Sequence, residues 1–311
     1  MKSRALVPAV LVAGDANVDL VLRGDVVPRF GQAEQLVSSD GLVLGGSASI
    51  VACGLARLGV PTSLVARVGD DALGQFQLDA LRAAGVGTSQ VEVDPSTPTG
   101  LSVILSAADD RAILTVPGTI PTLRASAVRT ALAATGARHL HVASYFLQPT
   151  LAAELPVLLA EVRASGVTVS LDTNWDPADA WDGVLSLLPL VDVLLPNLSE
   201  LRALGAVAGA TGSDLEVAHR LASFGPRVVV KAGADGGWSV GAGFSVQAPG
   251  LPVDVVDTTG AGDSFDAGYL AAVAHGIDDE GERLRWATVA GSLSTLEAGG
   301  TGRQATLDDL R

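Results

Sequence analysis

Residues 254–270 read DVVDTTGAGDSFDAGYL. The β-branched pair Val255-Val256 gives way to Asp257-Thr258-Thr259, then to Gly260-Ala261-Gly262-Asp263, then to a helix-forming run from Ser264 to Ala274. Small residues at the mouth of a helix let backbone N–H groups converge on one point. The positive end of the helix dipole faces the same point, so the turn is built to hold an anion. Asp263 delivers a carboxylate beside it. A negative group does not help to bind phosphate alone. It suits a reaction in which a hydroxyl loses its proton while attacking that phosphate. The rival reading is a Gly-rich helix start with Asp263 as an ordinary cap, and the rest of the chain must choose between them.

The bulk properties narrow the choice. The chain has 311 residues, room for one large α/β domain or two ordinary ones. It is 48% hydrophobic, with a mean hydropathy of +0.39, which supports a sizeable core. A formal net charge of −14 makes a nucleic-acid backbone or an anionic membrane surface a poor partner. A nucleotide is still admissible, because local N–H groups and Mg²⁺ outweigh a distant negative surface. The single cysteine, Cys53, allows no intrachain disulfide and no Cys-based zinc site. His139 and His141 alternate on an expected strand and read as ordinary strand residues. The N-terminal apolar run is short and broken by Pro8, so it reads as a first strand rather than a signal peptide. No segment has the length of a membrane span, and the expected location is cytoplasmic. Lysine occurs only at Lys2 and Lys231, against eighteen arginines, which marks Lys231 for attention.

Short Val/Leu/Ile runs alternate with Ala/Leu-rich stretches. The pattern predicts strands over 8–13, 62–67, 138–143, 167–171, 191–195 and 226–231. It predicts helices over 47–58, 72–84, 122–135, 150–164, 198–205, 213–222, 263–275 and 280–297. Such alternation gives βαβ units and a mostly parallel sheet covered on both faces. Residues 18–44 and 91–116 break the rhythm with β-prone, helix-poor segments, and Asp109-Asp110 reads as a hairpin turn. Together they are expected to form a small β-sheet lid over the carboxyl edge of the main sheet, within a single domain over 1–311.

Polar and glycine residues recur where the expected strands end, the edge at which open α/β sheets bind ligands. Asn17 and Asp19 alternate after the first strand, and Asp19 suits a polyol. Gly45-Gly46 lets a ligand press close to backbone, with Ser47 or Ser49 as a helix cap. Asp70 or Asp71 reads as the cap of the helix after VARVGDD. Asp172-Thr173-Asn174-Trp175 and Asn197-Leu198-Ser199-Glu200 follow two further strands. Glu200 reads either as a capping-box residue or as a group holding Mg²⁺ through water. Lys231, Gly233, Asp235, Gly236 and Gly237 suit close approach to a phosphate or base, or a plain hairpin.

These motifs, GDANVD, GGSAS, VGDDALG, DTN, NLSE, KAGADGG and DTTGAGDSFDAG, stand in the order of the ribokinase-type (PfkB) carbohydrate kinase family. The chain resembles that family over nearly its whole length, and the last motif is the most specific. The resemblance implies a three-layer, Rossmann-like ribokinase fold and ATP-dependent phosphorylation of a sugar hydroxyl. It implies Asp263 as catalytic base and the N–H groups of Gly260, Ala261 and Gly262 as an anion hole. It places Asn17, Asp19, Gly45 and Gly46 at the sugar, Asn197 and Glu200 at the Mg²⁺–phosphate, and Lys231, Gly233 and Gly236 at the nucleotide. It also implies a monovalent cation, K⁺, on Asp257 and Thr259 with carbonyls from 294–303, and admits a homodimer through the lid.

Two departures bear on the substrate. Ile50 stands where many relatives have an Asn that reaches sugar hydroxyls, and Asp176 stands where users of acidic sugars often have Arg. Ile50 cannot replace that hydrogen bond, which tells against ordinary ribose or hexose recognition unless the contact is made elsewhere; the Asp176 carboxylate has the wrong sign for an acidic sugar or a sugar phosphate, so a neutral sugar is expected. A nucleoside kinase of the same family is the alternative, with Phe30, Tyr145, Phe146 and Trp175 available to stack a base. A non-catalytic sugar or nucleotide sensor is the reading from another class, and an intact Asp263 speaks against it. Arg23, Arg29 and Arg111 in the lid are the cations an anionic substrate would call on.

Overall fold

The computed structural model describes residues 10–32, 34–107 and 111–311. Its strands are β1 (Val10–Ala13), β2 (Asn17–Arg23), β3 (Ser39–Gly45), β4 (Thr62–Val65), β5 (Arg67–Gly69), β6 (Glu92–Asp94), β7 (Gly100–Ser106), β8 (Arg111–Val116), β9 (His139–Val142), β10 (Thr168–Leu171), β11 (Val193–Leu194), β12 (Arg227–Lys231), β13 (Gly237–Gly241) and β14 (Phe244–Ala248). Its helices are α1 (Ser47–Arg57), α2 (Ala72–Ala83), α3 (Ala125–Thr135), α4 (Pro149–Ala164), α5 (Val184–Leu187), α6 (Leu198–Val207), α7 (Asp214–Ala222), α8 (Ala261–Ala274), α9 (Glu280–Ser294) and α10 (Leu307–Leu310).

The main sheet runs β14-β13-β12-β11-β10-β9-β1-β4. Strands β4 to β12 in that order are parallel, and β13 and β14 extend the edge as an antiparallel hairpin. Alternation along β1 shows why these strands read as unbroken apolar runs. Val10 and Val12 pack into a core with α1, α8 and α9, while Leu11 and Ala13 pack into a second core with α3 and α4. The chain leaves β1 toward β4 on one side and β9 on the other, which opens a crevice at the carboxyl ends of β1 and β9.

Segments from both irregular regions meet in a second sheet, ordered β3-β2-β7-β8. The residues of the Asp109-Asp110 turn, and residues 8–9 of the first expected strand, lie outside the described ones. The flanking strands β7 and β8 pair antiparallel. Two features went unread in the sequence. Glu92–Asp94 pairs with β5 rather than joining the second sheet. The β13–β14 hairpin arises from a Gly-rich segment too short for a period-2 pattern to register. Helix α9 ends at Ser294, three residues before its expected end at 297. Among the described residues no helix is long and apolar enough to cross a membrane.

Candidate active site

Helix α8 begins at Ala261 behind Gly260, whose φ of 71° is left-handed. Glycine is required there twice over, since a Cβ would also fall 2.6 Å from the Cα of Gly300. Gly262 differs. The nearest atoms to a Cβ there would be those of the Lys231 side chain, in ordinary contact at 3.5–3.8 Å, so packing does not demand glycine at this position. No side chain caps α8 among the described residues; of the expected anion-hole N–H groups, that of Ala261 donates to the Thr258 carbonyl at 3.2 Å.

Asp263 lies in that first turn, 8% exposed. Ser47 Oγ donates to its Oδ1 at 2.6 Å. Asn174 Nδ2 donates to the same Ser47 Oγ at 2.7 Å, and Ser144 N donates to Asn174 Oδ1 at 2.8 Å. This line runs from the end of β9 through the loop after β10 and the start of α1 to the carboxylate on α8. The capping role expected of Ser47 or Ser49 does not hold. Helix α1 starts at Gly46 without a side-chain cap; Ser47 serves Asp263 and Ser49 Oγ donates to the carbonyl of Asp15. Burial, then the Asp172 charge and, further down, that of Asp15, raises the Asp263 pKa to about 6 against the opposing Ser47 bond and Lys231 charge.

The Asn17–Asp19 pair forms the adjoining corner. Asn17 Nδ2 donates to Asp19 Oδ1 at 2.8 Å and to Ser102 Oγ at 3.4 Å, so the two alternating side chains share one face. Asp19 is pushed up to about 7 by burial and by the charges of Asp15 and Asp263. The Gly45-Gly46 motif has a packing reason here. A Cβ on Gly45 would sit 2.2 Å from Asp19 Oδ1, and one on Gly46 (φ 88°) would sit 2.8 Å from the Asp15 carbonyl. Asp15 accepts the N–H groups of Ala48 and Ser47 at 2.9 and 3.2 Å and so pins the start of α1.

Two residues expected at this corner are occupied elsewhere. Ile50 is 3% exposed within the core, and a Cβ on Gly300 would meet its Cδ1 at 2.4 Å. Its side chain props the 299–300 loop. The Asp176 carboxylate accepts the N–H groups of Ala178, Ala180 and Trp181 at 2.7–2.9 Å, so its charge stabilises its own turn.

Below the anion turn lies a buried ion cluster. Lys231 Nζ bonds Asp172 Oδ2 at 2.7 Å and Asp266 Oδ2 at 3.1 Å. Asp266 sits one turn after Asp263 on α8, and burial drives its pKa well up. The Lys231 pKa rises because the two carboxylates outweigh burial, and Asp172 is held low against burial by Lys231. Asn197 and Glu200 form a complete capping box at the start of α6. Asn197 N and Nδ2 donate to the two Glu200 oxygens at 2.8 and 2.6 Å. Burial and the Asp172 charge lift Glu200 to about 7. Asp71 caps α2 through Gly74 N at 2.8 Å.

Beside Lys231 and Gly262 opens a cavity of about 510 Å³. Gly233 borders it, and a Cβ there would meet nothing within 4 Å. Gly236 also borders it but answers to packing, with the Ala248 carbonyl 2.1 Å from a hypothetical Cβ. The apolar wall, Leu251, Pro252, Val253, Val255 and Phe265, was missed in the sequence, as was the polar and small wall of α9. A signal existed for α9: Thr288, Gly291, Ser292 and Thr295 recur at helical spacing and are small.

Asp257 and Thr259 meet protein partners. Asp257 Oδ1 accepts Thr259 N and Oγ1 at 2.9 and 2.7 Å, and Oδ2 accepts Gly299 N at 3.0 Å and Arg23 Nη2 at 3.1 Å. Burial raises the Asp257 pKa, yet these bonds win and hold it low. Arg111 Nη1 donates to Thr259 Oγ1 at 3.1 Å. Four donors leave the carboxylate without a free direction for K⁺, and a guanidinium already holds the adjacent space. The Asp257 and Thr259 side chains do not fit the monovalent cation that the resemblance implies.

Comparison with known proteins follows the same lines. The family model described as pfkB family carbohydrate kinase matches residues 8–306. The chain is 33% identical to an ATP-dependent ribose-1-phosphate kinase of Halopiger xanaduensis, over 93% of each chain. It is 32% identical to a fructokinase of Klebsiella pneumoniae, over 96% of this chain and 97% of the other. Among solved structures, Arabidopsis thaliana ribokinase complexed with ribose and ATP superposes with a TM-score of 0.82 at 26% identity, over 98% of each chain.

Proposed function

The chain belongs to the pfkB family of carbohydrate kinases, and we propose that it transfers the terminal phosphoryl group of ATP to a hydroxyl of an uncharged, polyhydroxylated sugar. One observation carries this reading. A buried carboxylate, Asp263, stands in the first turn of an uncapped helix beside the hydroxyl-accepting pair Asn17 and Asp19.

The substrate oxygen bonds to the γ-phosphorus as the bond from that phosphorus to ADP breaks, and the hydroxyl proton passes to Asp263. The N–H groups of Gly260, Ala261 and Gly262 receive the charge that builds on the phosphoryl oxygens. Ser47 holds Asp263 in its ionised form and in one orientation, and Asn174 orients Ser47. The cavity beside Gly233 and Gly262 takes the nucleotide, its apolar wall against the base. Glu200, oriented by Asn197 at the end of β11, keeps acceptor capacity on both carboxylate oxygens and would hold Mg²⁺ through water; when bound, Mg²⁺ neutralises phosphate charge. No step is assigned to K⁺.

The neutral substrate follows from charge. The polar groups at the corner are Asn17, Asp19, Ser102, Asn174 and Asp263, two of them carboxylates and none of them cationic. The second sheet carries Asn17, Asp19 and Ser102, so it walls the sugar and closes over it as a lid. Its β8 strand is exposed along its whole length, including Ile113, Leu114 and Val116. An apolar edge of that kind is covered by a second copy of the chain in a homodimer. An ATP-consumption screen over neutral sugars, ribose 1-phosphate, sugar acids and nucleosides tests the reading. A neutral sugar should give the highest kcat/KM, and a better sugar phosphate, sugar acid or nucleoside would overturn it.

A further inference from the structure

Two arginines join the second sheet to the loop ahead of the anion turn. Arg23 ends β2 and Arg111 begins β8. The strand register sets them in one row, since Arg23 pairs with Ser106 and Ser106 pairs with Arg111. Residues paired across strands point to the same face. Both guanidinium groups therefore reach from one end of the sheet to one loop. Arg23 takes Asp257 Oδ2 at 3.1 Å. Arg111 takes Thr259 Oγ1 at 3.1 Å and Thr258 Oγ1 at 3.3 Å. Thr259 Oγ1 in turn donates a hydrogen bond to Asp257 Oδ1 at 2.7 Å, so both contacts converge on one carboxylate.

Without a cation this carboxylate would be an uncompensated charge, its side chain 9% exposed, immediately before Gly260. The Arg23 side chain is 31% exposed, within reach of water when the sheet lifts. We propose that the Arg23 guanidinium is the built-in cation of the Asp257–Thr259 loop, so that the loop is ordered by docking of the lid and not by K⁺. Arg111 is the second pin of the same clasp. The inference rests on the kinase reading only for its effect on turnover. The loop ordering itself is measurable without substrate.

The test uses the wild type, Arg23→Gln and Arg23→Lys, each in potassium chloride and in tetramethylammonium chloride at equal ionic strength. Amide hydrogen exchange over 256–262 is read on the ligand-free protein, and phosphoryl transfer is read with the best sugar. For the wild type we expect exchange and rate to agree within about twofold between the salts, because a tethered charge is indifferent to the bulk ion. Arg23→Gln should lose about tenfold in protection in tetramethylammonium, the scale of one charge-assisted hydrogen bond. Potassium should restore part of that loss, and Arg23→Lys should lie between. The proposal is overturned if potassium speeds the wild type more than about threefold over tetramethylammonium. It is equally overturned if Arg23→Gln exchanges like the wild type in both salts. If no sugar is turned over, the exchange result still decides the clasp, and the kinase reading fails separately.

Discussion

Ser47 Oγ and Asp263 Oδ1 lie 2.6 Å apart, although 216 positions separate the two residues in the chain. The serine opens α1 and the aspartate sits in the first turn of α8. Their bond ties two helix N-termini together at the carboxyl edge of the sheet and, in the mechanism proposed above, leaves the second Asp263 oxygen for the substrate proton.

Asp263→Asn keeps the shape of this group and removes its basicity. Turnover should fall by about 10²–10⁴-fold, with ATP affinity and melting behaviour near those of the wild type. A variant retaining more than about a third of wild-type kcat would show that the proton goes elsewhere.

The acid limb of the pH profile should belong to Asp263. The residue acts as a base only when ionised, and its pKa is raised to about 6, chiefly by burial. So kcat at saturating sugar should be flat above that value and fall about tenfold per pH unit below it. Ser47 donates to the ionised form and lowers the pKa, so Ser47→Ala should move the limb to higher pH. A bond worth about 1–1.5 kcal/mol corresponds to roughly one pH unit. A limb unmoved by Ser47→Ala would assign it to another group.

Lys231→Met should destabilise the fold by about 3–5 kcal/mol, because it strands the buried Asp172 and Asp266 without their cation. Adding Asp172→Asn removes the charge that Lys231 chiefly offsets and should recover part of the loss. Urea denaturation measures both, and a Lys231→Met protein as stable as the wild type would mean the cluster contributes no net pairing.

The exposed β8 strand should mediate self-association. We expect sedimentation to report a dimer, and Leu114→Lys to shift it to monomer while the isolated chain stays folded. A wild-type monomer at micromolar concentration would remove the dimer from this account.

The main sheet and the eight long helices were legible because each burial pattern repeats locally. Strands such as β1 are apolar on both faces, and their helices are continuous Ala/Leu-rich stretches. The anion turn was legible because its chemistry is contiguous, from Asp257 to Asp263. The antiparallel β13–β14 edge was not, since short Gly-containing strands carry too few residues to show a period. The wall of the cavity beside Gly262 was hidden because its apolar half, 251–255, is irregular and its other half is a helix face that reads as ordinary core.

Read alone, the sequence determined which residues stand at the carboxyl ends of strands, since a buried strand must stop where polar residues and glycines begin. It identified Asn17 and Asp19 on that ground, Asp263 from the glycines at the mouth of a helix, and Gly45-Gly46 as a place of close backbone approach. Only the tertiary structure decided what each side chain touches. Ser47 became the partner of Asp263, Ile50 a prop for Gly300, Asp176 a brace for its own turn, and Asp257 the counterion of Arg23. The physical reason is range. Backbone periodicity is a property of neighbouring residues, whereas a hydrogen bond or ion pair is set by 2.6–3.1 Å between groups that the fold brings together from up to 234 positions apart.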